Sequence, residues 1–79
     1  MKNNVAMVFG CGRSKKNVGA GIVRKLQSEG WEVIGVDIDD KNSNQPDYFY
    51  NADVRRKEEV KGLFHWVEEN FESLDLIVN

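Results

Sequence analysis

Residues 5–22, VAMVFGCGRSKKNVGAGI, constrain the fold of this chain more than any other stretch. Five consecutive apolar residues, Val5, Ala6, Met7, Val8 and Phe9, end at Gly10. An unbroken run of this length suits a strand buried on both faces, as in the middle of a parallel sheet. A basic, glycine-containing loop follows over residues 10–17, and Gly19 and Gly21 open a pattern with helical spacing. A strand, a glycine loop and a helix N-terminus, in that order, present backbone N–H groups and a helix dipole to a phosphate.

The rest of the chain repeats the alternation. Residues 18–29 form a helix in which Ile22, Val23 and Leu26 share a face, with Asn17 as N-cap and Gly30 as the stop. Residues 31–37, WEVIGVD, form a second strand, and residues 39–46, DDKNSNQP, a surface loop. Residues 47–52 give a short third strand around Tyr48, Phe49 and Tyr50. Val60, Leu63, Phe64, Val67 and Phe71 then fall at i, i+3, i+4, i+7 and i+11, one apolar stripe of a second helix. Residues 74–78 make a fourth strand, and Asn79 follows it.

Apolar strands alternating with amphipathic helices imply an α/β fold with a parallel sheet and right-handed crossovers. The expectation is a Rossmann-like half-domain of four strands in the order 3-2-1-4 with two main helices. The link over residues 39–46 is short for a parallel crossover, which normally takes a dozen or more residues. It crosses as an extended loop, or the third strand lies elsewhere.

Composition narrows the class. Seventy-nine residues suffice for one domain, residues 1–79, which buries a little over ~60% of the surface its unfolded chain exposes. With 41% hydrophobic and 30% charged residues the chain is globular in character. A net charge of −2 with scattered Lys and Arg argues against a dedicated nucleic-acid binder. Cys11 has no second cysteine to pair with in the sequence, which fits a reducing compartment. The apolar run Val5–Phe9 is far too short for a signal-peptide core or a membrane span, so a cytoplasmic location without membrane contact is expected.

Few residues have the chemistry of a site. Gly10 permits a sharp turn off strand one, and Gly19 or Gly21 allows backbone to approach a pyrophosphate. The G-x-G-x-x-G fingerprint begins at Gly10 and Gly12 but meets Lys15 at its third glycine, and the Walker A pattern fails as well. Asp37 ends strand two, where a carboxylate accepts hydrogen bonds from a ribose diol and repels the extra phosphate of NADP. Asp39 and Asp40 read as solvated. Asp53 is placed to meet an adenine amino group or to cap the second helix, and capping is the stronger reading from its position alone. His65, beside Trp66 and off the main stripe, reads as a half-exposed helix residue, and no Cys or His pair has metal-ligand spacing. Trp31 and Trp66 read as core or interface residues.

Taken together, Gly10, Gly19 and Gly21, then GVDID at 35–39, ADV at 52–54 and LDLIVN at 74–79, resemble the N-terminal half of the short-chain dehydrogenase/reductase family, in order from residue 5 to residue 79. The resemblance implies a nicotinamide-dinucleotide cofactor, NAD in preference to NADP. It places Gly10, Gly19 and Gly21 at the pyrophosphate turn and adds Gly12, Ser14, Ile22 and Ile38 to the cofactor-binding residues. Asp37 falls at the adenosine ribose, and Asp53 and Val54 at the adenine. Asn79 matches the first Asn of the family's Asn-Asn-Ala-Gly motif. The short link after strand two is similar to that of family members lacking a helix there.

Two departures from the family pattern stand out. Eight residues separate Gly10 from Gly19 where the family has three, so residues 13–17 read as an insertion, comparable to the stretched motif of the family's enoyl reductases. Its Arg13, Lys15 and Lys16 favour NADP, against Asp37. Second, the family's catalytic Ser and Tyr-x-x-x-Lys fall beyond strand four: Tyr48 is followed by Ala52 and Tyr50 by Val54 at the fourth position. The expectation is a dinucleotide-binding module without catalytic residues of its own. The alternatives are an interaction protein and one part of a split oxidoreductase. Strand four, over residues 74–78, would then lie at a sheet edge with only Asp75 to discourage pairing, and a homodimer or a partner chain is expected across it.

Overall fold

The computed structural model describes residues 4–10, 18–38 and 46–79. The elements run β1 (Val5–Phe9), α1 (Val18–Ser28), β2 (Glu32–Asp37), β3 (Tyr48–Asn51), α2 (Lys57–Asn70) and β4 (Leu76–Val78). The four strands form one parallel sheet in the order β3-β2-β1-β4. The architecture is thus the α/β, Rossmann-like half-domain expected from the alternation, with each strand except β1 starting one or two residues later than its apolar run.

Side-chain alternation along the strands divides the core in two. Val5 and Met7 of β1, with Ile34 and Val36 of β2, face Leu63 and Val67 of α2. Ala6 and Val8, with Val33, face Val23 and Leu26 of α1. Both central strands are therefore covered on both sides, which is why they read as continuous apolar runs. Ile22, Trp31 and Val78 pack at the margin of the α1 side, and Trp66, Phe71 and Leu74 at that of the α2 side. Tyr50 lies against Trp66 with ring centroids 5.2 Å apart, and Phe71 meets both Trp66 and Tyr48 edge-on. Both tryptophans are core-margin residues.

The β2–β3 connection is a true parallel crossover despite its length. β3 starts opposite Ile34, not at the head of β2. The chain leaving Asp37 must therefore return only three positions, about 10 Å at ~3.3 Å per residue. Residues 38–47 can span about 30 Å. The staggered register removes the conflict.

Helix ends follow local chemistry. Gly30 has φ +89° and its N–H donates to the Gln27 carbonyl, while the Trp31 N–H donates to Leu26. These are the paired bonds of a Schellman stop, which needs a left-handed residue at this position. At α2 the capping expectation for Asp53 is overturned. The N-cap is Arg56, with no side-chain capping bond, and the Asp53 carboxylate is engaged by Arg55. The Asp53 N–H instead donates to Glu59 Oε1 at 2.7 Å, and the Arg56 N–H donates to the Asp53 carbonyl. Glu58 and Glu59 in the first turn complement the helix dipole. Asn17, the cap expected for α1, lies outside the described residues.

Asp75 also has a task that its position did not announce. Its Oδ2 accepts the Val5 N–H at 2.9 Å, and its own N–H donates to the Val5 carbonyl at 2.8 Å. The carboxylate thus serves the start of β1 and does not act as a repulsive charge on the outer edge of β4.

Candidate functional site

The carboxyl ends of β1, β2 and β3 open into a cleft of 380 Å³ lined by Phe9, Gly10, Val36, Asp37, Ile38, Ala52, Asp53, Val54 and Arg55. Parallel strands place all their carboxyl ends on one side of the sheet, so loops distant in sequence meet there. Ligand crevices of α/β sheets lie on that side for the same reason.

Gly10 turns the chain off β1 with φ +74°, while its N–H still donates to the Val36 carbonyl at 2.9 Å. A left-handed residue here is strained for anything but glycine. Among the described residues nothing lies within 4 Å of where a Cβ would stand. At the end of β2, Asp37 and the following Ile38 are held by a residue not anticipated from the sequence. Asn51 Nδ2 donates to the carbonyls of both Asp37, at 3.1 Å, and Ile38, at 2.9 Å. The Ala52 N–H adds a third bond, to the Asp37 carbonyl at 3.0 Å. These bonds fix the backbone that carries the Asp37 side chain. A polar residue ending the third strand was the available signal for Asn51.

Past β3, Asp53 and Arg55 form a two-pronged polar contact at the cleft. Arg55 Nε donates to Asp53 Oδ1 and Nη2 to Oδ2, both at 2.9 Å, and the Arg55 backbone N–H also donates to Oδ1 at 2.9 Å. The side-chain fork, followed by the backbone bond, holds the Asp53 carboxyl down to about 2. Arg55 is correspondingly raised. Two-pronged pairing of this kind fixes geometry as well as charge. Ile38 and Val54 stand exposed at 59% and 53%, two apolar side chains on the rim of a cleft whose floor is Val36 and Ala52. Arg55 was not singled out in the sequence, although its spacing of two from Asp53 is short enough for such a fork.

The structure brings together Gly10, Asp37, Ile38, Asp53 and Val54 of the expected set. Gly19, Gly21 and Ile22 lie on α1 and do not line this cleft, and the Ile22 side chain packs against the α1-side core. Asn79 is one position past the last β1–β4 pair, Val8 with Val78, and is exposed. Gly12, Ser14, Cys11, the basic residues Arg13, Lys15 and Lys16, and Asp39 and Asp40 lie outside the described residues.

His65 has a neighbour on its own helix: its Nε2 is 3.3 Å from Glu69 Oε1, both exposed. Among the described residues no three His, Cys, Asp or Glu side chains group as metal ligands, and no helix is long and apolar enough to cross a membrane.

No curated protein matches the chain. A family described as Enoyl-(Acyl carrier protein) reductase matches residues 12–79 of the 79. That span covers α1, the crossover, the cleft segments 36–38 and 52–55, and β4. Fold, strand order and family match agree, and the chain belongs to the short-chain dehydrogenase/reductase family, in its enoyl-(acyl carrier protein) reductase group.

Proposed function

We propose that the protein binds NAD, holding its adenosine half in the cleft at the carboxyl ends of β1 to β3. The family generally binds NAD(P). The observation that carries the reading to this chain is the convergence of Gly10, Asp37, Asp53 and two exposed apolar residues around one 380 Å³ space. Asp37 accepts the ribose hydroxyls, and its negative charge disfavours a phosphate on the same ribose, hence NAD over NADP. Ile38 and Val54 offer apolar faces to the flat purine, and Asp53 accepts its amino group. The left-handed Gly10 turn, at φ +74°, lets the chain bend sharply off β1 on the side of the sheet where the pyrophosphate would lie.

A bound nicotinamide dinucleotide supplies a hydride donor or acceptor; these residues bind and orient its far end. Neither Tyr48 nor Tyr50 begins a Tyr-x-x-x-Lys sequence. The proposed role of these 79 residues is therefore cofactor binding and not proton transfer. Calorimetric titration with NAD and NADP, repeated on Asp37→Ala, tests this. Saturable NAD binding weakened about tenfold in the variant supports it, the size of one hydrogen bond to a charged group. A folded protein that binds neither dinucleotide overturns it.

A second reading rests on β4. Leu76 and Ile77 are 38% and 50% exposed on the edge strand of a parallel sheet, and such edges pair with other chains. We propose that β4 meets a second copy of this chain. Sedimentation equilibrium decides it: a monomer mass at every concentration removes the reading, and a dimer lost in Ile77→Lys supports it.

A further inference from the structure

We propose that Arg55 is a positioning residue for purine selection: its fork pins Asp53 so that one acceptor position of Oδ2 is left for the 6-amino group of an adenine. The inference rests on the dinucleotide reading above and goes beyond it to the base that the cleft distinguishes and the residue that sets the choice.

The argument begins from valence. An ionised carboxylate has about four acceptor positions on its two oxygens. Oδ1 of Asp53 takes two N–H donors, the Arg55 backbone and Nε, and is filled. Oδ2 takes Nη2 alone. One position on Oδ2 therefore remains, on a side chain that lines the cleft between Ala52 and Val54. Without the fork, the Arg55 backbone N–H on Oδ1 is the one bond left to the carboxylate among the described residues, and its terminal torsion, which has a broad energy profile, can swing Oδ2 about that anchor. With it, a single oxygen is presented, in one orientation, and always as an acceptor.

A fixed acceptor discriminates between purines. Adenine carries an amino donor at position 6, and hypoxanthine carries a carbonyl there. Against Asp53 the first makes a hydrogen bond and the second sets acceptor against acceptor. The apolar Ile38 and Val54 beside it hold either ring equally, so the difference falls on the polar edge. Lysine cannot replace arginine in this task, since an ammonium offers no planar fork.

The test measures binding of NAD and of nicotinamide hypoxanthine dinucleotide to the wild type, Arg55→Ala, Arg55→Lys and Asp53→Asn, with thermal melting confirming that each is folded. The wild type should prefer NAD by about tenfold or more, the scale of a hydrogen bond to a charged group. Both Arg55 variants should narrow the preference severalfold, chiefly by weakening NAD, and Asp53→Asn, which removes the carboxylate itself, should bring the two ligands nearest to parity. An unchanged preference in the Arg55 variants overturns the proposal while leaving the dinucleotide reading intact. Equal weakening of both ligands also overturns it, because a merely structural residue would do that. A shift in the NAD to NADP ratio in its place would make Arg55 a phosphate contact and overturn it too. A wild type that binds neither NAD nor its hypoxanthine analogue removes the dinucleotide reading and this inference with it.

Discussion

Two clefts of equal volume, 380 Å³ each, border the same hydrophobic cluster and differ in everything else. Val36 and Ala52 floor the first, and Val67 lines the second beside Phe64, Phe71 and Leu74. The first draws on three separated segments, residues 9–10, 36–38 and 52–55, that meet only because parallel strands end together. The second comes from one stretch, residues 64–74, where α2 hands over to β4. Its polar residues, Glu68, Glu72 and Ser73, are supplied by the helix surface and the following turn. Volume is common to both. Convergence of backbone turns, a fixed carboxylate–guanidinium pair and exposed apolar faces belongs to the first alone, and that convergence is what makes it the candidate site.

The largest expected effect removes what the clefts share. Leu63 is fully buried in the cluster beneath both. Leu63→Ala should cost about 3 kcal/mol, read as the shift of the urea midpoint, and should impair ligand binding and α2 packing together. A loss below about 1 kcal/mol would mean that the shared core is not what supports either cleft.

Next come two variants that should separate the clefts. Phe71→Ala removes a side chain that touches Tyr48 and Trp66 and lines only the second cleft. It should cost about 2 kcal/mol of stability and leave NAD affinity unchanged in the folded protein. Asp37→Ala should do the reverse, weakening NAD with stability little altered. If both variants moved both properties, the clefts would be one coupled unit.

A smaller effect is read with pH. Arg55 holds the Asp53 carboxyl at about 2, against an ordinary 3.8. A depressed folded value means that the unfolded chain binds the proton first. The stabilisation is whole above about pH 4 and is lost as pH falls towards 2. The melting difference between wild type and Asp53→Asn should therefore be constant from pH 7 to 5 and close below pH 4. A difference that persists at pH 2 would show that the fork is not its source.

The smallest effect probes the middle of α2, between the two clefts. A Cβ at Gly62 would stand 3.2 Å from Tyr50 Oη, a tight contact with the end of a side chain. Alanine improves helix propensity by about 1 kcal/mol, and this contact opposes it. Gly62→Ala should therefore be more stabilising in a Tyr50→Phe background by about 0.5 kcal/mol, measured as a double-mutant cycle. Strict additivity would mean that Tyr50 moves aside without cost.

The strand order and both helices were legible in the sequence because burial on two faces leaves a distinct mark. Val5–Phe9 is continuously apolar for that reason, and the α2 stripe at Val60, Leu63, Phe64, Val67 and Phe71 marks burial on one face. Gly30 was legible as a stop because the turn requires a left-handed residue. Asp53 was not legible as the partner of Arg55. Periodicity reports which face of an element is buried and does not say which of several nearby donors a carboxylate will choose. Asp75 and Asn51 escaped for the same reason: each bonds the backbone of another strand, 70 and 14 or 13 residues away in sequence.

By itself, then, the sequence determined the alternation of strands and helices, the parallel sheet and the family resemblance, since hydrophobic burial is additive and is written residue by residue. Only the tertiary structure decided the rest. The stagger of β3 against Ile34 lets a short link make a crossover. The meeting of residues 10, 37 and 53 at one cleft is set by strand order, and the Asp53–Arg55 fork by the turn between β3 and α2. These depend on positions and angles among segments far apart in the chain, and a linear pattern of apolar and polar residues does not encode a distance.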